Sequence, residues 1–211
     1  LSPQAFEAAA NESSAIVLDV RHQDTYEKGH IPSSIFIGLD GEFAPWVGAL
    51  IADVKQPLLL VTEKGQEEEA ITRLSRVGFD QTLGYLEGGF EAWKNASMEY
   101  DTVSSISAEV FKTSYENNNT KVFDMRRESE FLSEHILEAH NTPLNFINDH
   151  LAEFKSNQHF YIHCAGGYRS MIAASILKSR GIHNLINIKG GFVAIKNAGV
   201  QVSNFVCPST L

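Results

Sequence analysis

The sequence predicts an α/β protein made of two similar halves, each a mostly parallel sheet with helices on both faces. Three observations carry this expectation. Residues 16–31, IVLDVRHQDTYEKGHI, are answered by residues 121–136, KVFDMRRESEFLSEHI, with Asp19, Arg21 and His30 matching Asp124, Arg126 and His135 at one constant offset. The apolar runs PLLLV (57–61) and HFYIH (159–163) have the character of strands buried on both faces. Such runs alternate with segments of helical period, the rhythm that produces parallel sheets covered by helices.

The repeat continues beyond its first block. VGFDQTLGYLEGGFEAWKNA (77–96) corresponds to RGIHNLINIKGGFVAIKNAG (180–199), anchored by the glycine pairs 88–89 and 190–191, the offset having shortened by three. A period of about 100 residues is a domain duplication, because solenoid units run to about 20–50 residues. The joint falls in MEYDTVSS (98–105), which has no clean period or apolar face, giving halves of 1–100 and 106–211.

Each half reads in the same order. Ser2 and Ser107 are placed to cap a first helix, and the β-rich runs IVLDV and KVFDM follow. Short acidic helices come next (DTYEK and ESEFLSE), then the segments SIFIG and HNTPLN, then amphipathic helices over FAPWVGALI (43–51) and FINDHLAEFK (146–155). The central strands lead through loops into helices over EEEAITRLSR (67–76) and SMIAASILKSR (170–180). Gly78 and Gly181 stand where a left-handed residue ends such a helix. Short strands, TLGYL and NLINI, and a last helix after Gly-Gly close each half.

Composition narrows the function. With 43% hydrophobic residues each half can build a core, and the formal net charge of -9 disfavours nucleic acid and anionic lipid as partners. No apolar run reaches the roughly 18 residues of a membrane span. The two cysteines, Cys164 and Cys207, are too few for a disulfide framework and point to a reducing, cytoplasmic setting. The chain starts without Met and reads as a processed product or a piece of a longer polypeptide.

Ligands of parallel sheets bind beyond the carboxyl ends of the strands, which directs attention to HCAGGYRS (163–170). Cys164 leaves the strand, Gly166 and Gly167 allow a tight curve, and Ser170 opens the helix. Loop amides and the helix N-terminus together stabilise an anion at the centre, and Arg169 adds a permanent charge with a fork of donors. Cys164 stands at that centre as an activated sulfur nucleophile. A lone cysteine there is as often a small core hydrophobe, but Gly166, Gly167, Arg169 and Ser170 in register weigh against that.

Cys164-Ala-Gly-Gly-Tyr-Arg-Ser resembles the Cys-x-x-Gly-x-Arg active loop of the rhodanese family. The flanking blocks are similar too: Asp19-Val-Arg21 with Gly29-His-Ile-Pro32, Asp124-Met-Arg126 with His135-Ile136, and the closing segments Leu86–Phe90 and Ile188–Phe192. The resemblance covers nearly the whole chain and implies two rhodanese-like domains. It also implies a sulfurtransferase that moves sulfane sulfur from thiosulfate or a persulfide donor to a thiol or cyanide through a Cys164 persulfide. Ala165, Gly166, Gly167, Tyr168, Arg169 and Ser170 would then bind the substrate. Four residues separate Cys164 from Arg169, as in sulfur-transferring members, whereas the related phosphatases and arsenate reductases have five. Those enzymes, and a non-catalytic binding module, are the alternatives. Glu134 and Leu137 stand where the family usually has Gly and Pro.

The first copy reads VTEKGQEEEA (61–70) against HCAGGYRSMI (163–172). Thr62 replaces Cys164 and cannot carry a persulfide, and Glu67 replaces Arg169, followed by Glu68 and Glu69. This half is read as inactive, a structural or docking partner. His163 is either a general base or a packing residue. The eight histidines lack the spacing of a metal site, so neither metal nor cofactor is expected. His30, His135, Trp46 and Trp93 read as packing residues, and Cys207 reads as incidental or as a resolving thiol. Residues 39–48, LDGEFAPWVG, resemble a stretch of rhodanese domains fused behind metallo-β-lactamase-like persulfide dioxygenases, which suggests such a fused or associated domain.

Overall fold

The structure is a computed structural model that describes residues 1–117, 121–154 and 158–207. The chain divides into two compact units, Leu1–Thr102 and Val103–Leu211.

In the first unit α1 (Pro3–Ser13) is capped by Ser2, whose side chain accepts the Ala5 N–H at 3.3 Å. There follow β1 (Ile16–Asp19), α2 (Gln23–Lys28), β2 (Ile35–Phe36), α3 (Phe43–Leu50), β3 (Leu58–Val61), α4 (Glu67–Ser75), β4 (Thr82–Tyr85) and α5 (Gly89–Asn95). The strands are parallel, in the order β2-β1-β3-β4. Every residue of β3 is buried, which explains its unbroken apolar sequence. Successive side chains of a strand point to opposite faces. Leu59 and Val61 accordingly pack on one face with Phe6, Phe90 and Trp93, where the Phe6 and Trp93 rings meet edge to face.

The second unit repeats this plan and adds a strand. Its elements are β5 (Ser105–Ile106), α6 (Ala108–Asn117), β6 (Val122–Asp124), α7 (Glu128–Ser133), β7 (His140–Asn141), β8 (Phe160–His163), α8 (Tyr168–Ser179), β9 (Leu185–Ile188) and α9 (Gly191–Asn197). The parallel order is β5-β9-β8-β6-β7, so β8 is central. Ser107 Oγ caps α6 through the Val110 N–H. Val122 and Ile188 pack with Phe111 and Ile195, while Phe123, next along β6, meets Phe154 and Phe160 with ring centroids 4.4 and 5.3 Å away. Each fully buried ring of this kind contributes roughly 1.5–3 kcal/mol. Gly78 and Gly181 lie at φ +88° and +78°, ending α4 and α8 in the left-handed region.

Three expectations are corrected. The helix over 146–155 is replaced by two 3₁₀ turns, Leu144–Phe146 and Leu151–Phe154, and Lys155 lies outside the described residues. Asn148, Asp149 and His150 are weak helix formers whose short polar groups compete with the backbone, and they fall between the turns. Helix α8 starts at Tyr168, two residues before Ser170, with Gly167 as its cap. The end of the segment read as a featureless joint contributes Ser105 to β5, which pairs with β9.

Candidate active site

Strand β8 delivers Cys164 to the loop of residues 164–167 at its carboxyl end, and α8 begins at once. Cys164 is only 1% exposed, and its Sγ accepts the Gly167 N–H at 3.1 Å. Gly167 has φ +113°, a conformation that favours glycine and turns this amide inward. The twelve-residue α8 adds the partial positive charge of its N-terminus. Gly166 is exposed and is not in the left-handed region, and a Cβ there would meet no atom within 4 Å. Of the two loop glycines only Gly167 is required by geometry.

The closing Gly-Gly turn holds the loop from the side. Phe192 N–H donates to the Cys164 carbonyl at 2.7 Å and Val193 N–H to that of Ala165 at 3.3 Å. Gly191 lies so close beneath them that a Cβ would fall 2.7 Å from the Ala165 carbonyl carbon and nearer still to the Cys164 carbonyl oxygen. Ser170, fully buried, places its Oγ 2.7 Å from Asn187 Oδ1, while Asn187 Nδ2 donates to Ser105 Oγ at 3.3 Å. The start of α8 is thereby tied to β9 and β5. Ala165 on the loop and Tyr168 at the start of α8 are half-buried.

Arg169 does not present a free fork. Its two terminal nitrogens donate to the two carboxylate oxygens of Glu130 on α7, at 2.6 and 2.9 Å. Hydrogen bonding to Glu130 raises the Arg169 pKa above its ordinary value. Burial acts to raise that of Glu130, but the hydrogen bonds and charge of Arg169 outweigh it and hold the carboxyl below its usual range.

Beneath the loop, Arg126 grips Asp124 with Nε and Nη2, donates to the Glu134 carbonyl at 2.8 Å, and lies over the Phe192 ring. Burial opposes the Asp124 charge, yet neighbouring His163 and Arg126 keep its pKa lowered. Fully buried His163 turns Nδ1 to the Cys164 carbonyl at 3.2 Å and Nε2 toward Asp124 Oδ2 at 3.8 Å, beyond hydrogen-bond reach. Burial lowers the His163 pKa, with Asp124 opposing. The ring faces this polar floor, the packing side of the two readings that the sequence left open.

Residues 2–96 and 107–198 each match the rhodanese-like domain family. The chain belongs to that family. Among relatives of its rhodanese-like domains are the uncharacterized protein YqhL of Bacillus subtilis, 31% identical over 43% of this chain and 70% of YqhL, and the thiosulfate sulfurtransferase GlpE of Pseudomonas savastanoi, 31% identical over 41% of this chain and 78% of GlpE. A solved rhodanese-like domain protein from Staphylococcus aureus is 30% identical over 48% of this chain and all of its own, with a TM-score of 0.44. These matches lend no support to the metallo-β-lactamase fusion suggested by residues 39–48.

The first rhodanese-like domain keeps the scaffold and changes the chemistry. Asp19 and Arg21 form the same buried pair, with Arg21 over Phe90. Gly89 again underlies the loop, where a Cβ would fall 3.3 Å from the Thr62 carbonyl oxygen. Thr62, 3% exposed, stands where Cys164 stands in the second. At the repeat offset Thr25 corresponds to Glu130, and Glu67 to Arg169, so both members of the ion pair are replaced. That paired change is the sequence signal that could have singled out Glu130. Trp46 and Trp93 are buried, and His30 and His135 stack on Tyr26 and Phe131, with centroids 4.0 Å apart in each case. Cys207 is exposed and neither cysteine forms a disulfide. Among the described residues no cluster of three or more metal-ligating side chains occurs, and no helix is long and apolar enough to cross a membrane.

Proposed function

We propose that the second domain is a sulfurtransferase that carries sulfane sulfur as a persulfide on Cys164. The observation that carries this reading is the Cys164 Sγ receiving the Gly167 amide at the N-terminus of α8, a setting suited to a sulfur anion. The kinship with a thiosulfate sulfurtransferase supports it.

In the first step the Cys164 thiolate attacks the outer sulfur of thiosulfate. A Cys164–sulfur bond forms, the sulfur–sulfur bond of the donor breaks, and sulfite leaves with the electron pair. In the second step a thiolate or cyanide attacks the outer sulfur of the persulfide, giving an acceptor persulfide or thiocyanate and returning the Cys164 thiolate. The Gly167 amide and the α8 N-terminus stabilise the negative sulfur that ends each cycle. Arg169, paired with Glu130, holds the start of α8 against α7 at the mouth of the site. In the first domain Thr62 has no thiol to load, so transfer is assigned to the second alone.

The test is mass spectrometry of the whole chain after incubation with thiosulfate. The Cys164 peptide should gain one sulfur, lose it to cyanide with release of thiocyanate, and gain none in the nearly isosteric Cys164→Ser variant. Loading that persists in Cys164→Ser would overturn the assignment.

A further inference from the structure

The first domain keeps a cleft of about 560 Å³ where the second has its sulfur site, at the carboxyl end of β3. Thr25 and Glu67, which replace the Glu130–Arg169 pair, both line it, so the ion pair that ties α7 to α8 in the second domain has no equivalent across this opening. Four glutamates line the cleft, Glu63, Glu67, Glu87 and Glu91, against Lys64 and Arg21, and Arg21 is already neutralised by Asp19. Glu91 is engaged with Lys94. The balance remains negative. The N-terminus of α4 opposes a cation here, but a half charge is outweighed by Glu67 in its own first turn.

A second observation points to a ligand. Thr62 is 97% shielded from solvent as a residue and lines this cleft, yet among the described residues its hydroxyl has no hydrogen-bond partner. The cleft opens onto this residue, so a donor or acceptor entering it can take the place of solvent at the hydroxyl. Phe90 and Tyr85 supply apolar ring surface beside it.

We propose that this cleft binds a small primary alkylammonium compound of the polyamine type. One ammonium donates to Thr62 Oγ1 and pairs with Glu67, the methylene chain lies along Phe90 and Tyr85, and a second ammonium meets Glu63 or Glu87. The domain that has lost the thiol would then be a cation receptor built on an anion-binding scaffold, whatever the sulfur chemistry of its neighbour.

Titration of the full chain with spermidine, followed by amide chemical shifts, tests this. Saturable shifts centred on residues 62–67 and 85–91 are expected, with a Kd below about 1 mM at low salt. Thr62→Val, which removes the hydroxyl and little else, and Glu67→Gln should each weaken binding by about five- to tenfold. Tetraethylammonium, which carries charge but donates no hydrogen bond, should bind at least tenfold more weakly. Shifts spread over carboxylates across the chain, affinity equal for tetraethylammonium and Mg²⁺, or affinity unchanged in both variants would each overturn the proposal.

Discussion

Arg169 and Glu130, 39 residues apart in sequence, form a two-point ion pair that joins the first turn of α8 to α7 at the mouth of the candidate site. The guanidinium so placed acts on the loop through its helix. If that is its main role, Arg169→Ala and Glu130→Ala should slow sulfur loading by similar factors, on the order of tenfold. The double variant should then be no slower than the slower single, the signature of coupled residues. A far larger loss in Arg169→Ala would place Arg169 directly on the donor. Because pairing lowers the Glu130 pKa, its stabilising contribution is present above the ordinary carboxylate value of about 4.3 and is lost as pH falls through the lowered one.

Gly191 and Gly166 should respond oppositely to alanine. At Gly191, φ is +58° and a Cβ would collide with the Cys164 and Ala165 carbonyls, so Gly191→Ala should cost about 2 kcal/mol or more and displace the loop. Gly166→Ala meets open space and should change stability by less than about 0.5 kcal/mol. Urea denaturation curves of the two variants provide the comparison, and equal costs would contradict the close approach described.

His163 makes the second domain sensitive to mild acid. Its folded-state pKa is lowered by burial, so the unfolded chain binds the proton more readily. Stability is full above the unfolded value of about 6.5 and falls as pH drops from there through the lowered folded value. The protection factor of the Ile162 amide in β8, its exchange rate corrected for the pH dependence of the intrinsic rate, should fall over that window, and His163→Gln should flatten the dependence. An unchanged profile in the variant would assign the acid sensitivity to another group.

The duplication, the alternation of strands and helices, and the position of Cys164 after a central strand were all legible in the sequence, because each is expressed as local period or as one copy read against the other. Gly167 was legible for the same reason, since a glycine before a helix start is a local conformational demand. The partners of those residues were not. Arg169 alone reads as a hand for an anion, and only the packing of α7 beside α8 shows that Glu130 takes it. His163 has the same identity whichever face of β8 it occupies, and the pairing of β8 with β6 turned it toward Asp124. The segment 146–155 has a helical stripe but weak helix formers at its centre, and packing of Phe154 against Phe123 is met by a 3₁₀ turn instead. The physical division is one of range. Periodicity and turn chemistry act over a few residues and are written in order along the chain, whereas the pairing of charges, the approach of Gly191 to the cysteine loop and the opening of the first-domain cleft arise between residues that only the folded chain brings together.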